Sequence, residues 1–358
     1  MTKLAIQGGP KVFEQAAQMP PWPPVYPETA ERLKEIYLGH GWSFYGPREV
    51  AFNEQFAAYT GAKRCVMMAN GTVTLETALR AYGIGPSDEV IVPAHTWLAT
   101  GEAVVFCGAT PVVVDIEPDT LCMDPAKAEA AITDRTRAII PVHLFGSMAD
   151  MDALMAIARR HGLKVIEDCA HAHGGFWDGK HVGTLGDVGS FSFQQSKILA
   201  SGEGGACITS DEGIGEAMGR LSHIGYQYGA KQGAAFAKPP VGELCRNYRV
   251  TDFQAEILLS QLAHLTEDNR LRAKNADYLR RELEAVPGLR VQAPGRKATL
   301  QSYYCFAIMV DHRHLKDGVR LDDVVEALVA EGCPVTRGWA APMCSKKSPP
   351  VSSGPTVE

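Results

Sequence analysis

The sequence predicts an α/β protein in which helices cover both faces of a mostly parallel β-sheet. Beyond Pro47, short apolar runs rich in β-branched residues alternate regularly with amphipathic helical segments. Repeated strand and helix units of this length favour parallel strands joined by helical crossovers. Polar side chains also follow several of the strands, at the edge where an open parallel sheet binds its ligands.

The elements of the amino-terminal part follow one another in a simple order. Six prolines make residues 1–27 an irregular arm, and a helix follows at Pro27–Leu38. Alternating and apolar runs then predict strands and periodic apolar positions predict helices. The strands are Cys65–Ala69, Glu89–Ala94, Thr110–Ile116, Thr136–Phe145, Lys164–Cys169 and Ser190–Phe193, and the helices are Val73–Tyr82, one ending at Val105, Pro125–Ile132 and Ala149–His161.

A second, smaller unit is predicted after the sheet. A capping box at Thr251–Gln254 starts a helix whose apolar pattern continues to Val286. A strand at Tyr303–Val310 and a helix at Leu321–Glu331 follow. We therefore expect an arm at 1–27, a large domain at 28–269, a small α/β domain at 270–342 and a disordered tail at 343–358.

Composition excludes several classes of function. The net charge of −6 gives no support for a nucleic-acid or anionic-membrane partner. No apolar stretch is long enough to cross a bilayer, and the amino terminus has no signal-like apolar segment. The nine cysteines contain no C-x-x-C pair. These features predict a soluble protein of the reducing cytoplasm.

One lysine and one carboxylate suggest the chemistry. The strand Ser190–Phe193 leads to Lys197 in a glycine-rich loop, and the strand Lys164–Cys169 carries Asp168 near its end. A lysine and a carboxylate at the ends of neighbouring strands suit pyridoxal phosphate, because the lysine forms a Schiff base and the carboxylate keeps the ring nitrogen protonated. The alternative is a solvated lysine and a carboxylate that caps a helix.

Other residues at the strand ends suit further parts of the same cofactor. Gly71 and Thr72 form a strand-to-helix turn that suits a phosphate, and Ser192 is a second candidate donor. Trp97 has a flat ring for stacking on a pyridine, and His171 is placed to reach the phenolic oxygen of the cofactor. The alternatives are an ordinary helix cap for the turn, a core or lid tryptophan, and a metal cluster of His171 with Cys169 and His173.

A metal site is not expected, because the spacing of these candidate ligands does not fit a structural zinc site. His95 and His143 are interpreted as supporting or structural residues.

Taken together, these motifs resemble one family. They include Asn70–Thr72, Pro141–Gly146, Glu167–Gly174, Ser192–Lys197 with Gly202–Gly205, and Asn247–Arg249. From residue 3 to about residue 340 the chain is similar to the DegT/DnrJ/EryC1/StrS aminotransferases, which are fold-type I pyridoxal phosphate enzymes that aminate keto-sugars and keto-cyclitols.

The resemblance implies roles for individual residues. Lys197 would form the Schiff base and act as general base and acid, Asp168 would pair with the pyridinium, and Gly71, Thr72 and Ser192 would bind the phosphate. Asn247 would reach the phosphate of the other subunit, so a homodimer with a shared site is implied. His171 stands where many members have glutamine, and Trp97 stands where many have phenylalanine or tyrosine.

The predicted function is transfer of an amino group from glutamine or glutamate to a keto-cyclitol or keto-sugar. The motifs are similar to those of scyllo-inosose aminotransferases, and also to those of 3-amino-5-hydroxybenzoate synthases. The family pattern fades after about Ala341-Pro342, which predicts an incomplete small domain and leaves a non-catalytic regulatory dimer as an alternative. Arg249 and Arg337 are the candidates for binding a donor carboxylate.

Overall fold

The computed structural model describes residues 3–14, 20–227 and 244–338. Its strands and helices are numbered here in chain order. The strands are β1 (Arg64–Met68), β2 (Glu89–Pro93), β3 (Thr110–Val114), β4 (Thr136–Ile139), β5 (Lys164–Asp168), β6 (Phe176–Trp177), β7 (Lys180–His181), β8 (Val188–Ser192), β9 (Gly205–Thr209), β10 (Leu289–Val291), β11 (Ala298–Leu300) and β12 (Ile308–Val310). The helices are α1 (Pro27–Leu38), α2 (Pro47–Thr60), α3 (Gly71–Ala81), α4 (Ala99–Phe106), α5 (Pro125–Ala130), α6 (Met151–His161), α7 (Glu212–Ser222), α8 (Asp252–Leu262), α9 (Leu265–Glu284) and α10 (Leu321–Ala330).

A seven-stranded sheet forms the centre of the molecule, with the strand order β1-β9-β8-β5-β4-β2-β3. Neighbouring strands are parallel from β3 to β8, whereas β9 is antiparallel to both β8 and β1. The mostly parallel sheet predicted from the sequence is therefore confirmed. Because β1 and β2 lie far apart in the sheet, the turn after β1 and the turn after β2 approach the central strands from opposite sides.

The core is divided between the two faces of this sheet. Successive residues of a strand point to opposite faces, so Met67 joins the apolar cluster on one face, whereas Val66 and Met68 join the cluster on the other. Ile91 and Val92 of β2 divide in the same way. Both faces of the strands are buried, as expected for a parallel sheet that helices cover on both sides.

Three of the predicted elements differ from the structure by more than two residues. The helix predicted from Thr251 to Val286 is two helices, α8 and α9, because the chain tightens between them, where the N–H of His264 bonds to the carbonyl of Gln261. The strand predicted at Thr136–Phe145 ends at Ile139, and Phe145 has a φ of 58° within a short 3-10 helix. Of the strand predicted at Tyr303–Val310, only Ile308–Val310 forms β12.

The amino-terminal arm and the chain after α9 contact each other and the sheet domain. The carboxylate of Glu331, at the end of α10, accepts hydrogen bonds from the backbone N–H groups of Ala5 and Val12 in the arm. The indole N–H of Trp22 donates to the carbonyl of Gln195, close to Lys197 in sequence. β11 pairs with β6, so the chain after α9 also contacts the sheet domain. The domain division at Asn269 remains a prediction, and the tail predicted at 343–358 lies outside the described residues.

No helix among the described residues has both the length and the apolar character that a bilayer crossing requires. The cysteines of the described part of the chain are all free thiols.

Candidate active site

The carboxyl ends of five strands bring the candidate residues to one edge of the sheet. The turn Asn70–Thr72 follows β1, the turn His95–Trp97 follows β2, and His143 follows β4. Asp168 is the last residue of β5, and Ser192 is the last residue of β8. Because β5 and β8 pair in parallel, with Asp168 opposite Ser190, the loop that carries Lys197 begins beside Asp168.

Lys197 lies in a hairpin connection between β8 and β9. Backbone hydrogen bonds close this connection at both ends, from Phe193 to Gly204 and from Gln195 to Gly202, each at 2.8 Å. Gly202 has a φ of 85°, a conformation that favours glycine. The Lys197 side chain is half-buried. Burial lowers its pKa, and the charge of Asp168 acts in the opposite direction, so the two groups are electrostatically coupled.

Asp168 is buried and each of its carboxylate oxygens accepts one hydrogen bond. The hydroxyl of Thr100 donates to Oδ2 at 2.9 Å, and the backbone N–H of Ala170 donates to Oδ1 at 3.2 Å. Burial raises the pKa of Asp168, and these two donors together with Lys197 oppose that shift. Each oxygen keeps a lone pair for a further donor, such as a protonated ring nitrogen.

The predicted phosphate-binding residues lie together. A Cβ atom on Gly71 would lie 2.7 Å from the Cβ of Ser192, so only glycine allows this approach between α3 and β8. The side chain of Asn70 caps α3 and accepts the N–H groups of Thr72 and Val73. Two N–H groups of the α3 terminus are therefore already occupied by Asn70. The candidate donors to an anion that remain are the Gly71 N–H and the hydroxyls of Thr72 and Ser192.

His171 is buried within a group of aromatic rings. Its ring lies nearly parallel to that of Tyr304, with 4.1 Å between centroids, and nearly parallel to that of Phe145, at 6.0 Å. Burial lowers the pKa of His171 well below its usual value, so the imidazole is neutral. Since Nδ1 accepts the N–H of Phe145 at 3.3 Å, the ring hydrogen is on Nε2, where it can donate.

Trp97 and Asn247 are both exposed. Trp97 is 61% exposed in the turn after β2, three residues before Thr100, which donates to Asp168. Asn247 lies in a segment that pairs with His223 and that joins the end of β1, because the carbonyl of Tyr248 accepts the N–H of Ala69. Both residues can therefore contact a cofactor or a second subunit.

His143 belongs to a buried structural network. Its Nε2 lies 3.0 Å from the carboxylate of Glu167, and its Nδ1 accepts the N–H of Ala149. Among the described residues, His143, Glu167 and Cys169 place ligand atoms within 4.8 Å of one another. However, the Glu167 carboxylate already accepts three backbone N–H groups from the segment 183–186, so a metal would have to displace them. The ring of His95 packs edge-on against Phe145, with the centroids 6.1 Å apart.

The structure adds site residues that the sequence did not indicate. Thr100 donates to Asp168, and the ring of Tyr304 lies under the Lys197 ammonium, 4.8 Å from it. Thr100 is 68 positions from Asp168, so no local spacing pattern predicts the contact. Of the two candidate arginines, Arg337 is paired with Asp322 on the surface, whereas Nη1 of Arg249 is buried and bonds to none of the described residues.

Comparison with solved structures supports the fold. The structure of 3-amino-5-hydroxybenzoic acid synthase matches with a TM-score of 0.77 and 34% sequence identity, and the match covers 83% of this chain and 76% of that one. An aminotransferase from Psychrobacter cryohalolentis matches with a TM-score of 0.81 and 32% identity, over 86% of this chain and 81% of that one.

Sequence relatives extend the comparison. An L-glutamine:2-deoxy-scyllo-inosose aminotransferase of Streptoalloteichus tenebrarius is 42% identical over 351 residues, which cover 94% of this chain and 81% of that relative. A putative L-glutamine:3-amino-2,3-dideoxy-scyllo-inosose aminotransferase of Micromonospora echinospora is 42% identical over 334 residues, 92% of this chain and 78% of that one. The model of the DegT/DnrJ/EryC1/StrS aminotransferase family matches residues 26–349. The chain is therefore an aminotransferase that belongs to the DegT/DnrJ/EryC1/StrS family.

Proposed function

We propose that this enzyme transfers the amino group of L-glutamine to the ketone of a cyclitol, with pyridoxal 5'-phosphate as its cofactor. The observation that carries the proposal is the coupling of Lys197 to the buried Asp168 at the ends of neighbouring strands. The 42% identity to L-glutamine:2-deoxy-scyllo-inosose aminotransferase supports the choice of donor and acceptor.

The residues at the sheet edge fit this cofactor. The close approach of Gly71 to Ser192 brings the turn after β1 against the end of β8, and the hydroxyls of Thr72 and Ser192 suit a phosphate. Asp168 would hold a proton at the ring nitrogen, and Trp97 would lie against the ring. The Nε2 hydrogen of His171 suits the phenolic oxygen.

Lys197 would move the protons of the reaction. When bound, the cofactor supplies an electron sink for the carbon that gains or loses the amino group. Desolvation lowers the pKa of Lys197, so its amine is a better base at neutral pH than an exposed lysine. Lys197 would take a proton from the donor carbon and return one at the cofactor carbon, and Asp168 would keep the ring nitrogen protonated throughout.

Arg249 is the better candidate for the donor carboxylate. Its guanidinium lies over the ring of Phe44, 5.3 Å from the centroid, and its buried Nη1 has no acceptor among the described residues. A buried guanidinium N–H is costly when unpaired, so an incoming carboxylate would satisfy it. Arg337 is less suited, because Asp322 already occupies it in two hydrogen bonds.

The proposal includes a homodimer with a shared site, in which Asn247 reaches the partner's phosphate. The exposure of Asn247 beside the end of β1 supports this arrangement. Asn247→Ala should weaken cofactor retention and leave the absorbance maximum of the bound cofactor almost unchanged. Mixing Asn247→Ala with Lys197→Ala should partly restore activity, because heterodimers would carry one intact site. Demonstrated subunit exchange without recovery would count against sharing.

The donor and acceptor are tested directly with the purified enzyme and added cofactor. L-glutamine and L-glutamate are compared as donors with 2-deoxy-scyllo-inosose, and the aminated product is measured by mass spectrometry. Lys197→Ala should abolish turnover and the visible absorbance of the bound cofactor. Lys127→Ala, a change of an exposed lysine on α5, should have no effect. An active Lys197→Ala variant would remove the lysine from the mechanism.

A second candidate is a synthase related to 3-amino-5-hydroxybenzoic acid synthase. The likeness of 34% identity and a TM-score of 0.77 favours it. The acceptor panel separates the two, because such an enzyme would process a cyclic keto acid and leave the neutral keto-cyclitol unchanged. A nucleotide-linked keto-sugar in the same panel tests the remaining acceptor class. Membership in an aminotransferase family favours an enzyme over a non-catalytic dimer.

A further inference from the structure

Two buried hydroxyl groups connect the turn after β2 to Asp168. Thr96 lies in the turn before α4 and Thr100 lies four residues later, in the first turn of α4, and both side chains are almost fully buried. Their Oγ1 atoms are 2.9 Å apart, and the hydroxyl of Thr100 lies 2.9 Å from Oδ2 of Asp168. The same turn carries Trp97.

The direction of these hydrogen bonds follows from the number of hydrogens. When Asp168 is ionised, its carboxylate has no hydrogen, so Thr100 donates to Asp168 in that state. A hydroxyl has one hydrogen, and that of Thr100 is now used. Thr96 must therefore be the donor to Thr100, and the chain runs from Thr96 through Thr100 to Asp168 with both hydroxyls pointing the same way. A chain aligned in this manner polarises each of its bonds.

We infer that Thr100, oriented by Thr96, is a positioning residue that holds the Asp168 carboxylate ionised and aimed at the ring nitrogen of the cofactor. The inference rests on the proposed function only in that it requires pyridoxal phosphate to bind beside Asp168.

The environment of Asp168 explains why such a device is needed. Burial disfavours the charged carboxylate, and a neutral acid would pair less well with a protonated ring. The Ala170 N–H fixes Oδ1 and the Thr100 hydroxyl fixes Oδ2, so rotation of the carboxylate would break a bond on each side. Lys197 cannot be the permanent counter-charge, because its nitrogen takes part in the reaction. The hydroxyl chain remains in place when the lysine changes its state.

The test compares two cofactors in binding rather than in catalysis. Pyridoxal 5'-phosphate is titrated into the apoenzyme beside its 1-deaza analogue, in which a carbon replaces the ring nitrogen. The analogue keeps the phosphate and the aldehyde but gives Asp168 no nitrogen to pair with. The ratio of the two dissociation constants therefore reports on the pairing with Asp168 alone.

Thr100→Val removes the donor and keeps the shape, and Thr100→Ser restores the donor. We expect Thr100→Val to weaken pyridoxal phosphate binding by about tenfold, the effect of losing a hydrogen bond to a charged group, and to leave the analogue unaffected. Thr96→Val should have a smaller effect in the same direction, of about threefold. Thr100→Ser should match the wild type.

The control is Thr60→Val, which also deletes a buried hydroxyl, one that donates to the carbonyls of Phe56 and Ala57. Thr60→Val should lower thermal stability without changing the ratio of the dissociation constants of the two cofactors. Equal weakening of both cofactors by Thr100→Val would show a merely structural role and overturn this inference, leaving the proposed function intact. A wild-type protein that does not bind pyridoxal phosphate would overturn both.

Discussion

The phenol ring of Tyr304 lies over the imidazole of His171, with 4.1 Å between the ring centroids and 12° between the planes. The ammonium of Lys197 lies 4.8 Å from the centroid of the same phenol ring. The Tyr304 hydroxyl is 2.9 Å from Oγ of Ser196, the neighbour of Lys197. A single tyrosine from the chain beyond α9 therefore contacts both the lysine loop and the histidine of the site.

Replacing this ring should disturb the site more than removing its hydroxyl. Tyr304→Leu loses a stacked ring pair and a contact with a cation, each worth about 1 kcal/mol. We expect it to lower kcat by about tenfold, whereas Tyr304→Phe keeps the ring and should stay within about threefold. Steady-state kinetics and the dissociation constant of the cofactor measure both changes. An equal loss of kcat in both variants would assign the effect to the hydroxyl instead of the ring.

Loss of charge at the two adjacent acids at the end of β5 should affect different properties, stability at Glu167 and activity at Asp168. The buried Glu167 carboxylate accepts three backbone N–H groups from the segment 183–186 and a bond from His143. Glu167→Gln places an amide against those donors and should destabilise the fold by about 3 kcal/mol. Asp168→Asn should leave the melting temperature nearly unchanged and remove most activity. A stable, active Glu167→Gln variant would contradict the structural role.

Buried histidines should make the fold sensitive to acid. Burial lowers the pKa of His173 to about 3 and that of His181 to about 4. Unfolded histidines take up a proton near pH 6.5, while the folded protein resists it. The free energy of unfolding should therefore fall as pH drops from about 6.5 toward 4. Denaturant unfolding at pH 7.5 and pH 5 measures the slope.

The contribution of one histidine is isolated by substitution. His181→Gln should lower the stability at pH 7.5 and reduce the loss between pH 7.5 and pH 5, because one of the groups that resists protonation is gone. His161→Gln, a change at the end of α6 where the ring is exposed, serves as the control and should keep the slope of the wild type. An unchanged slope in His181→Gln would refute the assignment.

Glu49 should give a pH effect of the opposite sign. Burial raises its pKa to about 7, and the charge of Asp252 adds to the shift, while the N–H of Tyr45 opposes it. The unfolded side chain ionises near pH 4.5, so the stability contributed by this group falls as pH rises from about 4.5 to 7 and stays low above. Glu49→Gln can keep the bond to Tyr45, so at pH 8 it should stabilise the protein by up to roughly 3 kcal/mol. At pH 4.5 the variant and the wild type should be alike.

The sheet and the edge that carries the candidate site could be predicted because both depend on local patterns. Each strand is a short apolar run with a polar residue after it, and parallel strands bring their carboxyl ends to one edge. Asp168, Ser192 and Lys197 therefore meet in the structure as the sequence indicated. Their roles toward a cofactor remain predictions.

Other parts could not be predicted, because they depend on contacts between distant segments. Tyr304 and Ser196 are 108 positions apart, and no spacing rule links them. The break between α8 and α9 contains neither glycine nor proline, and both Ala263 and His264 keep right-handed helical backbone angles. Apolar periodicity therefore continues through the break, and a sequence pattern predicts one helix.

The hairpin that carries Lys197 has a consequence for the exchange of substrates. Both of its ends are anchored in adjacent strands, by the bonds from Phe193 to Gly204 and from Gln195 to Gly202, and the arm residue Trp22 bonds to the carbonyl of Gln195. These bonds oppose outward movement of the loop. We therefore expect the Lys197 loop to stay in place while the donor leaves and the acceptor enters. The position of the Lys197 side chain in the site would then be the same for the donor and for the acceptor.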